Sequence, residues 1–440
     1  TMHGWNLGVY TERARAFGWH AVAVDGHDVE EIDRAYAGAV ATDGRPTVIV
    51  ARTLKGKGVA AVENKEGAHG KALDDPEAAV AELGGQRTIR VRVQQPAGSE
   101  ERRRFEAGEY RPPSYRLKDK VATRKAYGEA LAALGSARPD VVALDGEVAN
   151  STYTEIFAEA HPERYFEMYI AEQQMVAAAV GLQVRGWVPF ASTFAAFLTR
   201  AYDFIRMAAV SRAGICLVGS HAGVSIGEDG PSQMGLEDVA SLRAVHGSTV
   251  LCPCDANQTA KLVPQMAERG GIVYLRTTRQ ATPVIYGPDE AFPIGGSRVV
   301  RSSGHDDVTI VAAGITVHEA LEAADRLEED GFAARVVDLY SIKPIDEATL
   351  RAAANETGGL VTVEDHWAEG GLGDAVLEVF ADSAVRPRVI RLAVREMPAS
   401  ATPSEQLRAA GIDAGHIAEA ARRLVDAASL RAAEATRTSL

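Results

Sequence analysis

The chain has 440 residues, of which 46% are apolar and 24% charged, the balance of a globular protein with two or three domains. The formal net charge of −13 argues against a nucleic-acid-binding surface, although local cations could still bind small anions. No apolar run approaches the length of a membrane span, no secretory signal is visible, and three cysteines suit a reducing compartment. We therefore expect a cytoplasmic protein that binds neither nucleic acid nor membrane.

The first block of the sequence, residues 1–95, has the strand–helix–strand order of a parallel sheet. The pattern predicts helices at 10–18 and 29–40 and strands at 19–24 and 46–51. Asp28 is the expected N-cap of the second helix. Two strong strands are too few for a parallel sheet covered on both faces, so we expect further strands to come from outside this sequence.

Residues 96–118 separate this block from the rest and are rich in Gly, Ser, Glu, Arg and Pro. This composition predicts an exposed linker. The run Arg102–Arg104 within it is interpreted as a solvated stretch rather than a binding patch.

Two further α/β blocks follow, at 119–286 and 287–440, each with helices alternating with buried-type strands. In the second block we predict helices at 124–134, 153–160, 175–184, 199–210 and 257–269 and strands at 141–144, 165–170, 215–219, 249–252 and 272–276. In the third we predict strands at 308–313, 334–338 and 359–364 and helices at 319–330, 346–354 and 372–380. The fold class is therefore α/β with parallel sheets.

Glu172 is the first candidate for chemistry, because it lies between a predicted strand and a mostly apolar helix. Ligands bind at the carboxyl ends of strands in open α/β sheets, and a desolvated carboxylate there suits proton sharing with a ligand nitrogen. A simpler interpretation is an acidic residue that stabilises a helix N-terminus. Phe194 and Phe197 follow at i, i+3 spacing, which fits either a face for a flat heterocycle or ordinary core.

The segment 219–234 combines four glycines with small polar residues, and it also contains His221, Asp229 and Gln233. Glycines allow backbone to approach a ligand closely, and these side chains can bond hydroxyl and phosphate groups. We interpret it as a functional loop rather than an idle surface loop. Scattered cations that could bind phosphate are Lys55, Lys57, His69, Arg124 and Arg279, although each alone would be an ordinary surface charge.

Two other motifs are interpreted as structural rather than functional. Cys252 and Cys254 lack the further ligands that a zinc site needs, so we expect core thiols and no metal ligands in this chain. Glu364-Asp365-His366 matches no metal or phosphate motif, and we interpret it as a strand-end turn with a structural or interface role.

Taken in order, the quoted segments resemble transketolase over nearly the whole chain. They include Val24-Asp25-Gly26-His27 and Thr53–Gly58 in the first block. In the second block they include Ala122–Gly128, Asp145-Gly146, Ala171-Glu172-Gln173, Ser192-Thr193-Phe194 and Gly227–Ser232. Gln233 after Pro231-Ser232 is similar to the animal branch of that family. The resemblance implies a thiamine-diphosphate-binding fold with part of a diphosphate-binding domain (1–95), a linker (96–118), a pyrimidine-binding domain (119–286) and a C-terminal domain (287–440).

The resemblance also implies a reaction, the transfer of a two-carbon ketol unit from a ketose phosphate to an aldose phosphate. Glu172 would hydrogen-bond the pyrimidine N1′ of thiamine diphosphate, and Phe194 and Phe197 would pack on that ring. Lys55 and Gln233 would line the cofactor pocket and the substrate channel. His69 and His221 would contact the ketol end and assist proton transfers. The remaining substrate ligands would be Arg124, Ser151 and Arg279 for the phosphate and Asp229 for a hydroxyl group.

One departure from the family pattern concerns the metal. The Gly-Asp-Gly motif and downstream Asn that bind Mg²⁺ and the diphosphate do not precede the first matching residues. We expect either a split enzyme whose N-terminal half is a separate chain or a partial sequence, and weak cofactor binding by this chain alone. The family's shared active sites imply a homodimer or a heterotetramer with N-terminal halves.

Three alternatives share parts of this pattern. A deoxyxylulose-phosphate synthase and the thiamine-dependent part of pyruvate dehydrogenase have the same domain order, although the 220–229 loop favours transketolase. A non-catalytic regulatory or scaffold subunit could also keep the fold. Against this, the expected residues on the pyrimidine side are all present.

Overall fold

The computed structural model describes residues 2–92 and 106–438, with side chains as far as Asp426 in the last helix. The chain divides into two compact units, residues 1–98 and 99–440. Arg102–Arg104 lie outside the described residues. None of the described helices is both long and apolar enough to cross a membrane.

The first unit is a small α/β element built on one pair of parallel strands. Its elements are α1 (Leu7–Ala16), β1 (His20–Asp25), α2 (Val29–Val40), β2 (Thr47–Arg52) and α3 (Pro76–Glu82). His20 lies opposite Thr47 and Asp25 opposite Arg52 in the register. The predicted N-cap is confirmed, since Asp28 accepts hydrogen bonds from the Glu30 and Glu31 amides. Several large apolar side chains of this unit are exposed, among them Phe17, Val29, Val40, Ile89 and Val91.

The second unit contains the remaining elements. The first of these are β3 (Lys120–Ala122), α4 (Thr123–Ala137), β4 (Val141–Asp145), α5 (Ala149–Thr152), α6 (Glu155–Ala160), β5 (Tyr165–Glu167), α7 (Glu172–Val184), β6 (Val188–Phe194), α8 (Tyr202–Val210), β7 (Ile215–Ser220), α9 (Asp238–Ala244), β8 (Thr249–Leu251), α10 (Ala256–Arg269), β9 (Ile272–Arg276) and β10 (Ala281–Pro283). Short 3₁₀ turns lie at Pro162–Arg164, Phe197–Ala201 and Val224–Ile226.

The last part of the unit begins with β11 (Arg298–Arg301). It continues with β12 (Val308–Ala312), α11 (Thr316–Glu329), β13 (Ala334–Asp338), β14 (Ser341–Lys343), α12 (Glu347–Glu356), β15 (Leu360–Trp367), α13 (Leu372–Val379), β16 (Val389–Val394), α14 (Pro403–Ala409) and α15 (Ala414–Thr438).

Two mainly parallel sheets organise this unit. The larger has the strand order β14-β8-β9-β7-β6-β4-β5, and the smaller has the order β11-β13-β12-β15-β16. β14 pairs antiparallel with β8, so a strand from the third sequence block completes the sheet of the second. β11 is likewise antiparallel to its neighbour β13. Apolar residues of β4, β6, β7 and β9 are almost fully buried, as expected for parallel strands covered on both faces.

Most predicted elements are present, with three differences near the candidate site. The strand predicted at 165–170 ends at Glu167, because Tyr169 adopts a left-handed conformation with φ +54°. The helix predicted from 175 begins three residues earlier, at Glu172. β6 was not predicted, although its sequence Val-Pro-Phe-Ala-Ser-Thr-Phe is a short buried run.

The segment predicted as an exposed linker is partly packed where the structure describes it. The Tyr110 hydroxyl donates to the Ala260 carbonyl at 2.9 Å. The Asn257 side chain both accepts from the Tyr115 amide and donates to its carbonyl, each at 3.0 Å. Residues 110–115 are therefore fixed against α10.

Candidate active site

The candidate site lies where β6 and β7 end side by side in the larger sheet. Phe194, the last residue of β6, lies opposite Ser220, the last residue of β7. The chain that follows each strand therefore starts from the same carboxyl edge, where open α/β sheets bind ligands. The 3₁₀ turn at 197–201 follows β6, and the glycine-rich segment follows β7.

Three rings form a stack at this edge. The rings of Phe194 and Phe197 lie 5.0 Å apart between centroids, with 13° between their planes. The His221 imidazole also stacks on Phe194, with 3.8 Å between centroids and 13° between the planes. Phe194 is buried and Phe197 half-buried, so the Phe197 side of the stack is the more accessible. The predicted aromatic face is thus present, and His221 extends it.

His221 is held in an unusual conformation and remains uncharged. Its φ is +55°, in the left-handed region that residues with a Cβ rarely adopt. Ser220 Oγ lies 2.8 Å from its Nδ1. Burial, together with the positive charges of Arg124 and Arg279, lowers the His221 pKa to about 3. A neutral imidazole near neutral pH can exchange hydrogen bonds with hydroxyl groups without adding a cation to the site.

Glu172 occupies the first position of α7 and is only 3% exposed. Its Oε2 lies 3.6 Å from Nε of Arg200, which belongs to the same 3₁₀ turn as Phe197. Within the described part of the chain no donor forms a hydrogen bond with this carboxylate. A nearly buried carboxylate with unused acceptor capacity can receive a hydrogen bond from a ligand. Arg200 was missed by the sequence analysis, since a contact 28 residues away leaves no local pattern.

The predicted phosphate and hydroxyl ligands come from different elements but are linked to one another. Arg124 Nη1 donates to the Ser151 carbonyl at 2.7 Å, and its Nε donates to the Arg279 carbonyl at 3.3 Å. Arg279 Nε lies 3.4 Å from Asp229 Oδ2. Burial lowers the pKa of Arg124, which still remains charged at neutral pH. The structure therefore joins Arg124, Ser151, Arg279 and Asp229 in one polar cluster.

A buried carboxylate holds the short helix that carries Ser151. Asp145, the last residue of β4, accepts from the Val148 amide at 2.7 Å and from the Thr152 and Thr154 hydroxyls at 2.6 and 2.8 Å. Burial raises the Asp145 pKa to about 6 despite these bonds. The strand end thus positions Ser151 through α5.

The remaining predicted residues belong to the glycine-rich loop, to the first unit and to the core. Gln233 is half-buried in the glycine-rich loop, and its amide donates to the Gly230 carbonyl at 3.2 Å. Lys55 and His69 belong to the first unit, where both are exposed and Lys55 Nζ contacts His69 Nδ1. Cys252 and Cys254 are buried free thiols whose pKa values are raised by burial.

Two buried residues support the loop, and neither its contact with Asp365 nor the role of Arg276 was predicted from the sequence. Asp365 accepts hydrogen bonds from the Val224 and Ser225 amides, and Arg276 Nη2 donates to the Gly235 carbonyl. The expectation of a structural role for Glu364-Asp365-His366 is confirmed, although these residues lie inside β15 rather than in a turn. The available signal was an acidic residue at the carboxyl end of a buried strand.

Comparison with known proteins places the chain in a family. Three family models match it: "Transketolase, thiamine diphosphate binding domain" at 2–97, "Transketolase, pyrimidine binding domain" at 119–284 and "Transketolase, C-terminal domain" at 296–417. Transketolase from Mus musculus is 46% identical over 425 residues, which cover 95% of this chain and 67% of that protein. Transketolase from Homo sapiens is 46% identical over 427 residues, with 95% and 68% covered.

Solved structures agree with this assignment. One described as "Split gene transketolase, inactive beta4 tetramer" is 41% identical, with a TM-score of 0.65 over 70% of this chain and 99% of that one. Transketolase from Leishmania mexicana, at 24% identity, shares the fold with a TM-score of 0.78 over 94% of this chain and 68% of its own. The expected fold class is confirmed. The chain is 46% identical to relatives of which it covers about two thirds, and it therefore belongs to the transketolase family.

Proposed function

We propose that this chain carries the pyrimidine side of a thiamine-diphosphate site and catalyses ketol transfer. The donor would be a ketose phosphate such as xylulose 5-phosphate, and the acceptor an aldose phosphate such as ribose 5-phosphate. The observation that carries the proposal is the convergence, at the ends of β6 and β7, of an aromatic stack and a polar cluster. His221 belongs to the stack, and its pKa is lowered by burial and also by the cations of the cluster.

The residues beside β6 fit an aminopyrimidine. The Phe194–Phe197 pair offers a flat apolar surface, and rings of this kind favour offset stacking. The Glu172 carboxylate is nearly buried, and its one ion pair among the described residues is with Arg200 at 3.6 Å, so it can bond a ring nitrogen and hold a proton there. When bound, thiamine diphosphate supplies the nucleophile and the electron sink that ketol transfer requires.

The polar cluster fits the substrate. Arg124 and Arg279 are half-buried cations whose guanidinium groups suit a sugar phosphate, with Ser151 beside them. Asp229 can accept from a hydroxyl group next to the aldehyde. His221, being neutral, can donate to or accept from the ketol end and assist proton transfer. For the same reaction we propose that Gln233 lines the substrate channel.

The first unit supplies two further candidates, His69 for the ketol end and Lys55 for the cofactor pocket. We propose that the diphosphate and Mg²⁺ are held by a separate N-terminal half. Two findings favour this: the parallel strands of the first unit form only a pair, and large apolar residues such as Phe17 and Val40 are exposed. A relative with a split gene exists and is described as a tetramer.

We also propose the assembly and the domain limits. The assembly is a homodimer or a heterotetramer with N-terminal halves. The domains are 1–95, 119–286 and 287–440, with a linker at 96–118. We place the reaction in the pentose phosphate pathway and the protein in the cytoplasm.

A ketol-transfer assay tests the proposal. It uses xylulose 5-phosphate, ribose 5-phosphate, thiamine diphosphate and Mg²⁺ with the pure chain and with an added transketolase N-terminal half. Activity in the mixture alone would support the two-chain enzyme. Activity of the chain alone would contradict the need for a separate half, and inactivity in both would contradict the proposed reaction. Pyruvate as the donor distinguishes the synthase and dehydrogenase alternatives.

A further inference from the structure

The glycine-rich segment 219–235 packs against a strand of the other sheet. β15 belongs to the five-stranded sheet, and Asp365 near its end is only 2% exposed. Both oxygens of this carboxylate face the segment. Oδ1 accepts from the Val224 amide at 2.7 Å, and Oδ2 accepts from the Ser225 amide at 3.1 Å. A carboxylate from one sheet thus caps the 3₁₀ turn in a loop of the other.

The loop backbone is matched to this carboxylate. Gly223 precedes the turn with φ +84°, a conformation that residues with a side chain rarely adopt. A Cβ added at this position would lie 2.0 Å from Asp365 Oδ2, far inside contact distance. Only glycine therefore allows the carboxylate to approach both amides.

The capped turn connects directly to the polar cluster. The carbonyl of Ile226, the last residue of the turn, accepts from Arg279 Nη1 at 2.8 Å. Arg279 in turn pairs with Asp229 through its Nε at 3.4 Å. A displacement of the turn would therefore move the Arg279 guanidinium and, through it, Asp229.

A second contact closes the other end of the loop. Arg276 Nη2 donates to the Asp365 carbonyl at 2.8 Å and to the Gly235 carbonyl at 2.9 Å. The Gly235 carbonyl also accepts from the Gly223 amide at 2.8 Å. Both ends of the loop are thus fixed relative to the same residue of β15.

We propose that Asp365 is a positioning residue for phosphorylated substrates, because its carboxylate holds the turn at 224–226 and thereby fixes Arg279 and Asp229. Charge-assisted hydrogen bonds in a buried setting are among the stronger ones, and a pre-ordered ligand set loses less conformational entropy on binding. The inference rests on the proposed function, in which Arg279 binds the phosphate.

The test substitution is Asp365→Asn in the active assembly. It preserves size, but it leaves one acceptor oxygen for two amide donors and places an NH₂ against one of them. The KM for xylulose 5-phosphate is expected to rise about tenfold, the scale of one charged hydrogen bond, while kcat falls much less. With unphosphorylated xylulose as donor, which offers Arg279 no phosphate and can lose only the Asp229 contact, KM should rise much less.

Asp306→Asn is the matched control. Asp306 is also a buried carboxylate, and it precedes β12, which neighbours β15 in the five-stranded sheet. It accepts from the Ser303 amide at 2.8 Å and from Arg335 Nε at 3.1 Å. It contacts no residue of the glycine-rich segment among its described hydrogen bonds. It should leave both KM values unchanged. Equal KM changes for xylulose and xylulose 5-phosphate in the Asp365→Asn assembly would overturn the proposal.

Hydrogen exchange followed by mass spectrometry provides a readout that does not depend on activity. In Asp365→Asn, peptides covering 219–235 should exchange at least severalfold faster, because the Val224 and Ser225 amides lose an acceptor, whereas Asp306→Asn should not alter them. Unchanged exchange would overturn the proposal even in an active enzyme. If the wild-type assembly lacks ketol transfer, the proposed function fails while this measurement still decides whether Asp365 holds the turn.

Gly223→Ala tests the same contact from the loop side and replaces Asp365→Asn if that variant does not fold. It should reproduce the selective KM effect. The double variant should be little worse than the worse single variant, since both disrupt one contact. Additive effects on KM would contradict a shared mechanism.

Discussion

The two groups of candidate residues differ in how firmly the surrounding protein holds them. His221 is buried in a ring stack, and Asp229 belongs to a loop anchored by Asp365. Arg279, which follows β9, is bonded to that loop through the Ile226 carbonyl and pairs with Asp229. Lys55 and His69 in the first unit are exposed, and the polar contact described for their side chains is the one between Lys55 Nζ and His69 Nδ1. Pre-organisation of ligand groups usually requires packed supports. We therefore propose that the candidate residues of the larger unit are pre-ordered, and that Lys55 and His69 require further structure to order them.

The largest effect is expected at Glu172. Glu172→Gln keeps the shape of the side chain but removes the carboxylate that would share a proton with the cofactor. We expect ketol transfer to fall by about 10²–10⁴-fold, the usual contribution of such a group. Thermal unfolding should change little, since the only described ion pair is the 3.6 Å contact with Arg200. Full activity in the reconstituted assembly would refute the enzyme interpretation.

Arg200→Gln is the control for that substitution. It removes the ion-pair partner but leaves the carboxylate, so activity should fall far less than in Glu172→Gln. An equal loss would show that the ion pair, rather than the carboxylate, is what matters.

The next largest effect is expected on the free energy of unfolding, through the buried ion pair of Arg276 and Asp238. Arg276→Met leaves Asp238 buried without the 2.7 Å partner that it has in the native chain. Removing one member of a buried ion pair costs about 3–5 kcal/mol. The free energy of unfolding from urea titration should fall by that amount. A loss below about 1 kcal/mol would mean that Asp238 finds another partner or takes up a proton.

A smaller effect concerns pH. His221 has its pKa lowered to about 3, so the unfolded chain binds a proton near its usual pKa, before the folded chain does. This group therefore contributes stability that is present above pH 6.5 and is lost as pH falls from 6.5 towards 3. His221→Gln lacks this titrating group, so its free energy of unfolding should fall less between pH 7 and pH 4 than that of the native chain. Urea titrations at pH 7, 5 and 4 would measure the difference. Identical pH dependence in both proteins would contradict a buried, neutral His221.

The smallest effect is expected in the first unit. Lys55→Ala and His69→Ala remove exposed side chains, and surface substitutions away from special features seldom change stability. Calorimetry of the pure chain should show unchanged melting, while ketol transfer in the mixture should fall. A large loss of stability would mean that this region is more ordered by itself than the comparison suggests.

The parts of the fold that were predictable depend on local signals. Asp28 was identified as a cap because its carboxylate bonds amides two and three residues away. The position of Glu172 between a strand and a helix was predictable because strand ends are visible in the sequence, although α7 begins at Glu172 itself. Phe194 and Phe197 do stack on each other, but Phe194 ends β6 and the expected helical spacing does not describe it. Strand ends also placed the glycine-rich loop at the right edge of the sheet.

The parts that were missed depend on contacts between distant segments. β14, a strand of the third sequence block, joins the larger sheet by pairing with β8, which places Ser341 opposite Leu251. The Asp365 cap spans 141 residues between Asp365 and Val224. Neither contact produces a periodic pattern, and the left-handed Tyr169 that ends β5 leaves no composition signal. The contacts that support the candidate site therefore could not be predicted, even where its candidate residues could be named from the sequence.

Cofactor binding tests the central claim most directly, namely that this chain carries the pyrimidine side of the site and needs a partner for the rest. Titration calorimetry would measure thiamine diphosphate binding, with Mg²⁺ present, to the pure chain, to an N-terminal half and to their mixture. We predict stoichiometric binding by the mixture and weakened binding when the mixture contains Glu172→Gln. Tight, stoichiometric binding by the pure chain would contradict the account.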